Sequence, residues 1–238
     1  MAETFVLVHG GSLGAWSWAA VVAQLQKLGH RAMAVDLPGR GENPYDVQKI
    51  TLAVHIDAVA RYIEERDLRD VVLVGHSMAG IIIPGVTVRM PERIKRLIFI
   101  SAMVMRDGES AMEVFQTGGV GSRNGRTRSR ESMTDRFRRH QLHDASRDLQ
   151  DFVIAAIVPD QMSVLSEPVA MKDFYALDPP TSVIVLEDDL AIDPLRFHPL
   201  FTERLRNPTI RSIKSGHGVM FTKPVECARA IVELTEGS

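Results

Sequence analysis

An α/β fold, with a mostly parallel sheet covered by helices on both faces, is predicted by two observations and bounded by a third. Short, continuously apolar runs recur along the chain, as suits strands buried on both faces. Segments with helical spacing of apolar residues separate them, the order expected of successive βαβ units. The alternation stops at about Met105 and resumes at about Pro180. The expected organisation is one α/β core, residues 1–105 and 180–238, interrupted by a helical cap at residues 106–179.

Each element follows from its own residues. Phe5-Val6-Leu7-Val8 is a buried strand running into His9-Gly10-Gly11. Ala15 to Leu28 is amphipathic, with Trp18, Val21, Val22 and Leu25 at helical spacing and Gly29 as its C-terminal stop. Arg31 to Leu37 is the next strand, closed by Pro38-Gly39-Arg40-Gly41. Thr51 caps a helix reaching about Glu65, with Val54, Ala58 and Ile63 expected inward. Val71 to Val74 is a third strand, followed by Gly75-His76-Ser77-Met78-Ala79-Gly80 and a helix to about Met90. Ile94 to Ala102 is a fourth. In the insertion, helices are expected around Met133 to His140 and Leu149 to Ile157. Strand Ser182 to Leu186, a helix near Pro199 to Arg206, strand Ile210 to Ile213 and a helix from Pro224 to Leu234 complete the core.

Composition narrows the class. The 238 residues are 45% hydrophobic and 24% charged, the balance of an ordinary globular protein. A formal net charge of −2 supplies no global field toward nucleic acid or an anionic membrane. The single cysteine, Cys227, excludes an internal disulfide framework and a cysteine-rich zinc site. The first residues lack the pattern of a signal peptide, and no apolar run reaches the roughly 18 residues of a spanning helix. The expectation is a cytoplasmic protein.

Chemistry concentrates at three strand ends. Strand, Gly75-His76-Ser77-Met78-Ala79, helix is the context of a nucleophile elbow, where small residues flank a serine exposed above the sheet. The competing reading is a helix cap in which Ser77 bonds only backbone amides. A serine nucleophile needs a base, and the base needs an orienting acid, in the chain order Ser, Asp, His. His217 sits between Gly216 and Gly218 beyond the last strand, and Glu187, Asp188 and Asp189 crowd the turn after the preceding one. After the first strand, the backbone amide of Gly11 can join that of Met78 as an oxyanion hole. Gly10, Ser12, Trp16, Met103 and Met220 are the candidate substrate-binding residues around it.

Together, His9 to Trp18, Asp36-Leu37-Pro38-Gly39-Arg40-Gly41 and Gly75 to Gly80 resemble the α/β-hydrolase superfamily. Within it they resemble the branch of plant methylesterases, hydroxynitrile lyases and bacterial pyrethroid-hydrolase-like esterases. Asp189-Leu190-Ala191-Ile192 is similar to that branch's D-x-x-I acid motif, which selects Asp189 from the three carboxylates. Pro159-Asp160-Gln161 through Val169 resembles the end of its helical cap. The likeness covers about residues 4–105 and 180–234 and fades between about Gly118 and Asp151. Where the lyases carry a lysine after the base and a threonine after the first-motif histidine, this chain has Gly218 and Gly10. The usual histidine before Gly14 is Leu13, and the usual aspartate before the base is Gly216.

The resemblance and the residues imply a serine esterase with no cofactor and no metal. Ser77, His217 and Asp189 are its expected catalytic residues, acting on a small or medium apolar ester. The alternative is a lyase, cyclase or isomerase that moves protons on a carboxylated metabolite with the same residues. Arg123, Arg126, Arg128, Arg130, Arg136, Arg138 and Arg139 form a basic run, readable as a solvated cap face or as an anion-gripping lid hinged at Gly118-Gly119-Val120-Gly121. The run lacks the interleaved aromatics of a nucleic-acid binder. His140, His143 and Asp144 have no evident further ligand for a metal. A homodimer through cap or C-terminal helix surfaces would be ordinary.

Overall fold

The computed structural model describes residues 2–41, 43–117, 132–160 and 162–235. Arg123, Arg126, Arg128, Arg130 and the expected glycine hinge at 118–121 lie outside them.

Six strands form one sheet: β1 (Thr4–Val8), β2 (Arg31–Val35), β3 (Val71–His76), β4 (Ile94–Ile100), β5 (Thr181–Leu186) and β6 (Thr209–Ile213). Their order is β2-β1-β3-β4-β5-β6 and every pairing is parallel. Chain direction across the sheet reverses at β1 and β3, so the loops leaving these two neighbours diverge over one crevice, the usual place for a ligand in such sheets. Val8 pairs with Gly75 there, which sets the β1 loop beside the β3 loop.

Alternation of side chains divides the apolar runs between two cores. Phe5, Leu7, Val72, Val74, Ile98 and Ile100 face one way with Trp18, Leu25 and Ile231. Val6, Val8, Leu73, Leu97 and Phe99 face the other way with Val59, Ile63 and Ile83. The first face is covered by α1 (Ala19–Lys27), α10 (Val219–Thr222) and α11 (Pro224–Glu233), and the second by α2 (Leu52–Glu65) and α3 (Ile83–Arg89). Thr51 does cap α2, accepting from the Val54 N–H at 3.2 Å. The inward stripe of α2 differs from the expectation: Leu52, His55, Val59, Ala60 and Ile63 are buried, while Val54 and Ala58 are half-buried. His55 is a polar residue on the buried face, and hydropathy alone misplaces it.

Between β4 and β5 the chain forms α4 (Ala111–Thr117), α5 (Met133–Gln141), α6 (Arg147–Ala156), α7 (Met162–Ser166) and α8 (Lys172–Leu177). Ser132 and Ser146 cap α5 and α6 through their hydroxyls. Phe137, Leu142 and Val153 pack on Leu13 and half-buried Trp16 in a third apolar cluster, which fastens this segment to the β1 loop. A short α9 (Phe197–Thr202) follows β5. Among the described residues no helix is long and apolar enough to cross a membrane.

Candidate active site

β3 ends at His76, and the chain reverses at Ser77 with φ +53°. A side chain in that left-handed region is disfavoured, so the turn must be imposed from outside. The imposing contact is backbone on backbone. Met103, in the loop after β4, donates its N–H to the Ser77 carbonyl at 3.1 Å. A Cβ at Gly80 would lie 2.2 Å from the Met103 oxygen and 2.7 Å from its nitrogen. Gly80 is therefore a stricter requirement of this turn than Gly75 and Ala79, the small pair that the motif emphasises.

Of the three carboxylates after β5, Glu187 and Asp188 are exposed and Asp189 is 2% exposed. Its Oδ1 accepts the N–H groups of Ala191 and Ile192 at 2.7 and 2.9 Å. Its Oδ2 meets Nδ1 of His217 at 2.6 Å and also takes the Ser101 hydroxyl. Burial pushes the Asp189 carboxyl up, but the charge and hydrogen bond of His217, with Ser101 and the Ile192 amide, outweigh it. The carboxyl is held below the usual range. His217 is 1% exposed, and its Nε2 has no hydrogen-bond partner among the described residues. With Nδ1 donating to Asp189, Nε2 carries a bare lone pair.

The His76 ring lies against that imidazole, centroids 4.4 Å apart. Its Nε2–H donates to the His217 carbonyl at 3.0 Å, an acceptor that fixes the tautomer. Burial, with the neighbouring His217, depresses the His76 pKa well below its ordinary value, so the ring is neutral. The β1 loop closes the cluster: a Cβ at Gly10 would stand 2.8 Å from His76 Nδ1 and 3.0 Å from Ser77 Cβ. Ser77 itself is 8% exposed. The structure thus joins His217 to Asp189 directly, packs His76 on the His217 ring, and sets Gly10 against His76 and Ser77. No hydrogen bond links Ser77 to Nε2; in unliganded enzymes such contacts are often long.

The other candidate residues fall in different environments. Ser12 has φ +63° and donates its hydroxyl to Asp160 at 3.0 Å. Half-buried Trp16 stacks with Phe221 and meets the edge of Phe152. Met103 is buried beside the turn, and Met220 is packed in the core with Phe5 and Leu7. His9 has a structural environment, donating Nδ1–H to the Gly10 carbonyl and accepting the Leu37 N–H at Nε2.

The segment after α5 reaches over the loops of Asp189 and His217. His140 donates to the Leu190 carbonyl at 3.0 Å, Gln141 accepts the Gly218 N–H at 2.9 Å, and Asp144 accepts the Gly216 N–H at 2.8 Å. A Cβ at Gly216 would meet Asp144 Oδ1 at 2.6 Å, so the carboxylate occupies the space of a side chain there. This accounts for the glycine before His217. Arg138 of α5 pairs with Asp151 of α6 at 2.6 Å. No group of three or more metal-ligating side chains occurs among the described residues.

Ser101 is the residue that motif reasoning missed. It is fully buried and has φ +38°. The available signal was a polar residue directly after a strand with an apolar carboxyl half. A separate open crevice of about 420 Å³, between Arg96, Asp178, Thr181 and Asn207, lies at the opposite, amino end of the strands.

The Alpha/beta hydrolase family model matches residues 5–230. The chain belongs to this family. It is 27% identical over 239 residues to a carbendazim hydrolyzing esterase of Nocardioides sp. (strain SG-4G), covering 97% of this chain and 98% of that one. It is 28% identical to an alpha-hydroxynitrile lyase of Arabidopsis thaliana, with 92% of each covered. Its structure superposes with a TM-score of 0.85 and 29% identity on an extracellular alpha/beta-hydrolase of a Paenibacillus species, covering 98% of both chains; that protein is described as sharing structural and functional homology with tobacco salicylic acid binding protein 2. The parallel sheet is thus that of an alpha/beta hydrolase, and the chain is a hydrolase-type enzyme with esterases among its relatives.

Proposed function

We propose that the protein is a serine esterase without cofactor, with residues 106–179 as a cap over the site. The carrying observation is the buried His217–Asp189 contact of 2.6 Å at the carboxyl end of the sheet, with Nε2 unpartnered and the imidazole packed on His76, the residue before the left-handed turn at Ser77. Ser77 Oγ attacks the acyl carbon as His217 Nε2 takes its proton. The amides of Gly11 and Met78 receive the oxyanion, and His217 returns the proton to the departing alkoxide. Water then repeats the sequence to release the acid. Asp189 holds the tautomer and stabilises the imidazolium. The apolar surroundings of Trp16, Met103 and Leu13 favour a small or medium apolar ester.

A fluorophosphonate tests this directly, since Ser77 Oγ displaces fluoride only when activated. The adduct is expected on Ser77, and Ser77→Ala abolishes both the label and the turnover of p-nitrophenyl esters. Labelling elsewhere in folded protein, or turnover surviving in Ser77→Ala, overturns the reading. Labelling of Ser77 without turnover of any ester supports the lyase-type alternative, in which the same groups only move protons.

A further inference from the structure

The motif Pro38-Gly39-Arg40-Gly41 and the Pro159-Asp160 segment have no task in the steps above, yet they meet at the β1 loop. Arg40 Nη2 pairs with Asp160 Oδ1 at 2.6 Å and also donates to the Pro159 carbonyl at 3.2 Å, while Nη1 donates to Gly39. The second carboxylate oxygen accepts the Ser12 hydroxyl, and Val158 N–H donates to the Ser12 carbonyl at 3.0 Å. These contacts hold Ser12 in its left-handed conformation. The pair is enclosed, with side-chain exposures of 8% for Arg40 and 17% for Asp160, so solvent screens it weakly.

The placement of the carboxylate is unusual. An ideal Cβ at Gly11 would fall 2.5 Å from Asp160 Oδ2 and 3.4 Å from its Cγ. The anion therefore lies directly against the residue whose amide serves as oxyanion donor in the proposed mechanism. A lone negative charge there opposes the charge that develops on the substrate oxygen. Arg40 is the cation placed to cancel it.

We infer that Asp160 and Arg40 are positioning residues that form a charge-neutral clamp on the oxyanion loop. Asp160 holds Gly11 and Ser12 in place from the inserted segment, and Arg40 removes the electrostatic penalty of having a carboxylate there. This rests on the reading of Gly11 as an oxyanion donor. The clamp makes the two partners unequal, whereas a simple structural ion pair makes them equivalent.

The experiment follows saturating and subsaturating rates of fluorophosphonate labelling at Ser77 by intact mass, with p-nitrophenyl acetate turnover in parallel. Circular dichroism confirms that each variant is folded. Arg40→Met, which strands the carboxylate, is expected to slow the saturated rate about a hundredfold with little change in apparent binding. Asp160→Asn keeps an acceptor for Ser12 and is expected to lose about tenfold. Arg40→Met combined with Asp160→Asn returns to the Asp160→Asn rate, about ten times faster than Arg40→Met alone. Arg40→Lys, which keeps the charge, stays within a fewfold of the parent. A double variant no faster than Arg40→Met, or Arg40→Met within threefold of the parent, overturns the clamp while leaving Ser77 as nucleophile. Absence of any label on Ser77 in the parent protein overturns the underlying mechanism instead, and the clamp with it.

Discussion

The two ends of the sheet both force non-glycine residues into the left-handed region, but with different residues. At the carboxyl ends these are Ser12, Ser77 and Ser101, with φ of +63°, +53° and +38°. At the turns leading into strands they are Asp67, Asp70, Asp178 and Asn207, between +41° and +51°. Aspartate and asparagine tolerate that conformation because a short polar side chain satisfies nearby groups; Asp67 and Asp178 also pair with Arg93 and Arg206. The serines are held by distant backbone and side chains: Ser12 by Val158 and Asp160, Ser77 by Met103, Ser101 by Asp189. The left-handed conformation thus falls on residue types that tolerate it at one end and on serines held by tertiary contacts at the other, where the chemistry is proposed.

Ser77→Gly breaks this comparison most severely. It is expected to remove activity by several orders of magnitude while raising stability by about 1 kcal/mol, because glycine accepts the positive φ freely. Kinetics and urea unfolding on the same sample check both signs.

Acid acts next. Burial, partly offset for His9 by the Gly10 carbonyl and compounded for His55 by His9, lowers the pKa of both histidines to about 4. Arg40 and Asp160 are the charged groups acting on both, joined by Asp36 at His9. The unfolded chain takes up these protons first, near pH 6.5, so stability is full above that pH and falls as pH drops toward 4. Each histidine accounts for on the order of 2–3 kcal/mol of the fall. Urea midpoints measured between pH 7.5 and 4.5 should show it, and His55→Gln should remove its share. A midpoint independent of pH across that window contradicts the burial argument.

Ser101→Gly relieves the backbone but takes a donor from Asp189, so kcat is expected to fall about tenfold with KM unchanged. An equal rise in KM would place Ser101 in binding instead. The smallest effect belongs to the other end. Asn207→Gly should alter stability by only a few tenths of a kcal/mol and leave kcat unchanged.

The strands, the turn at Ser77 and the helix cap at Thr51 were legible because each is written within a few adjacent residues. An apolar run of strand length, a small-residue spacing or a capping hydroxyl has its local consequence wherever it occurs. The inward face of α2 was less legible, since His55 reads as polar and is buried by its neighbours. Among Glu187, Asp188 and Asp189, only the likeness to the D-x-x-I motif selected Asp189, and the folded chain supplies the physical reason by burying that one alone.

What the sequence by itself determined is therefore the order of elements, the parallel sheet and the residues able to do chemistry at its strand ends. Only the tertiary structure decided that Ser101 reaches Asp189 across 88 positions, that Asp160 reaches Ser12 across 148, and that Asp144 fills the space at Gly216. A hydrogen bond between distant residues depends on which loops the strand order brings side by side, and no local pattern encodes that adjacency.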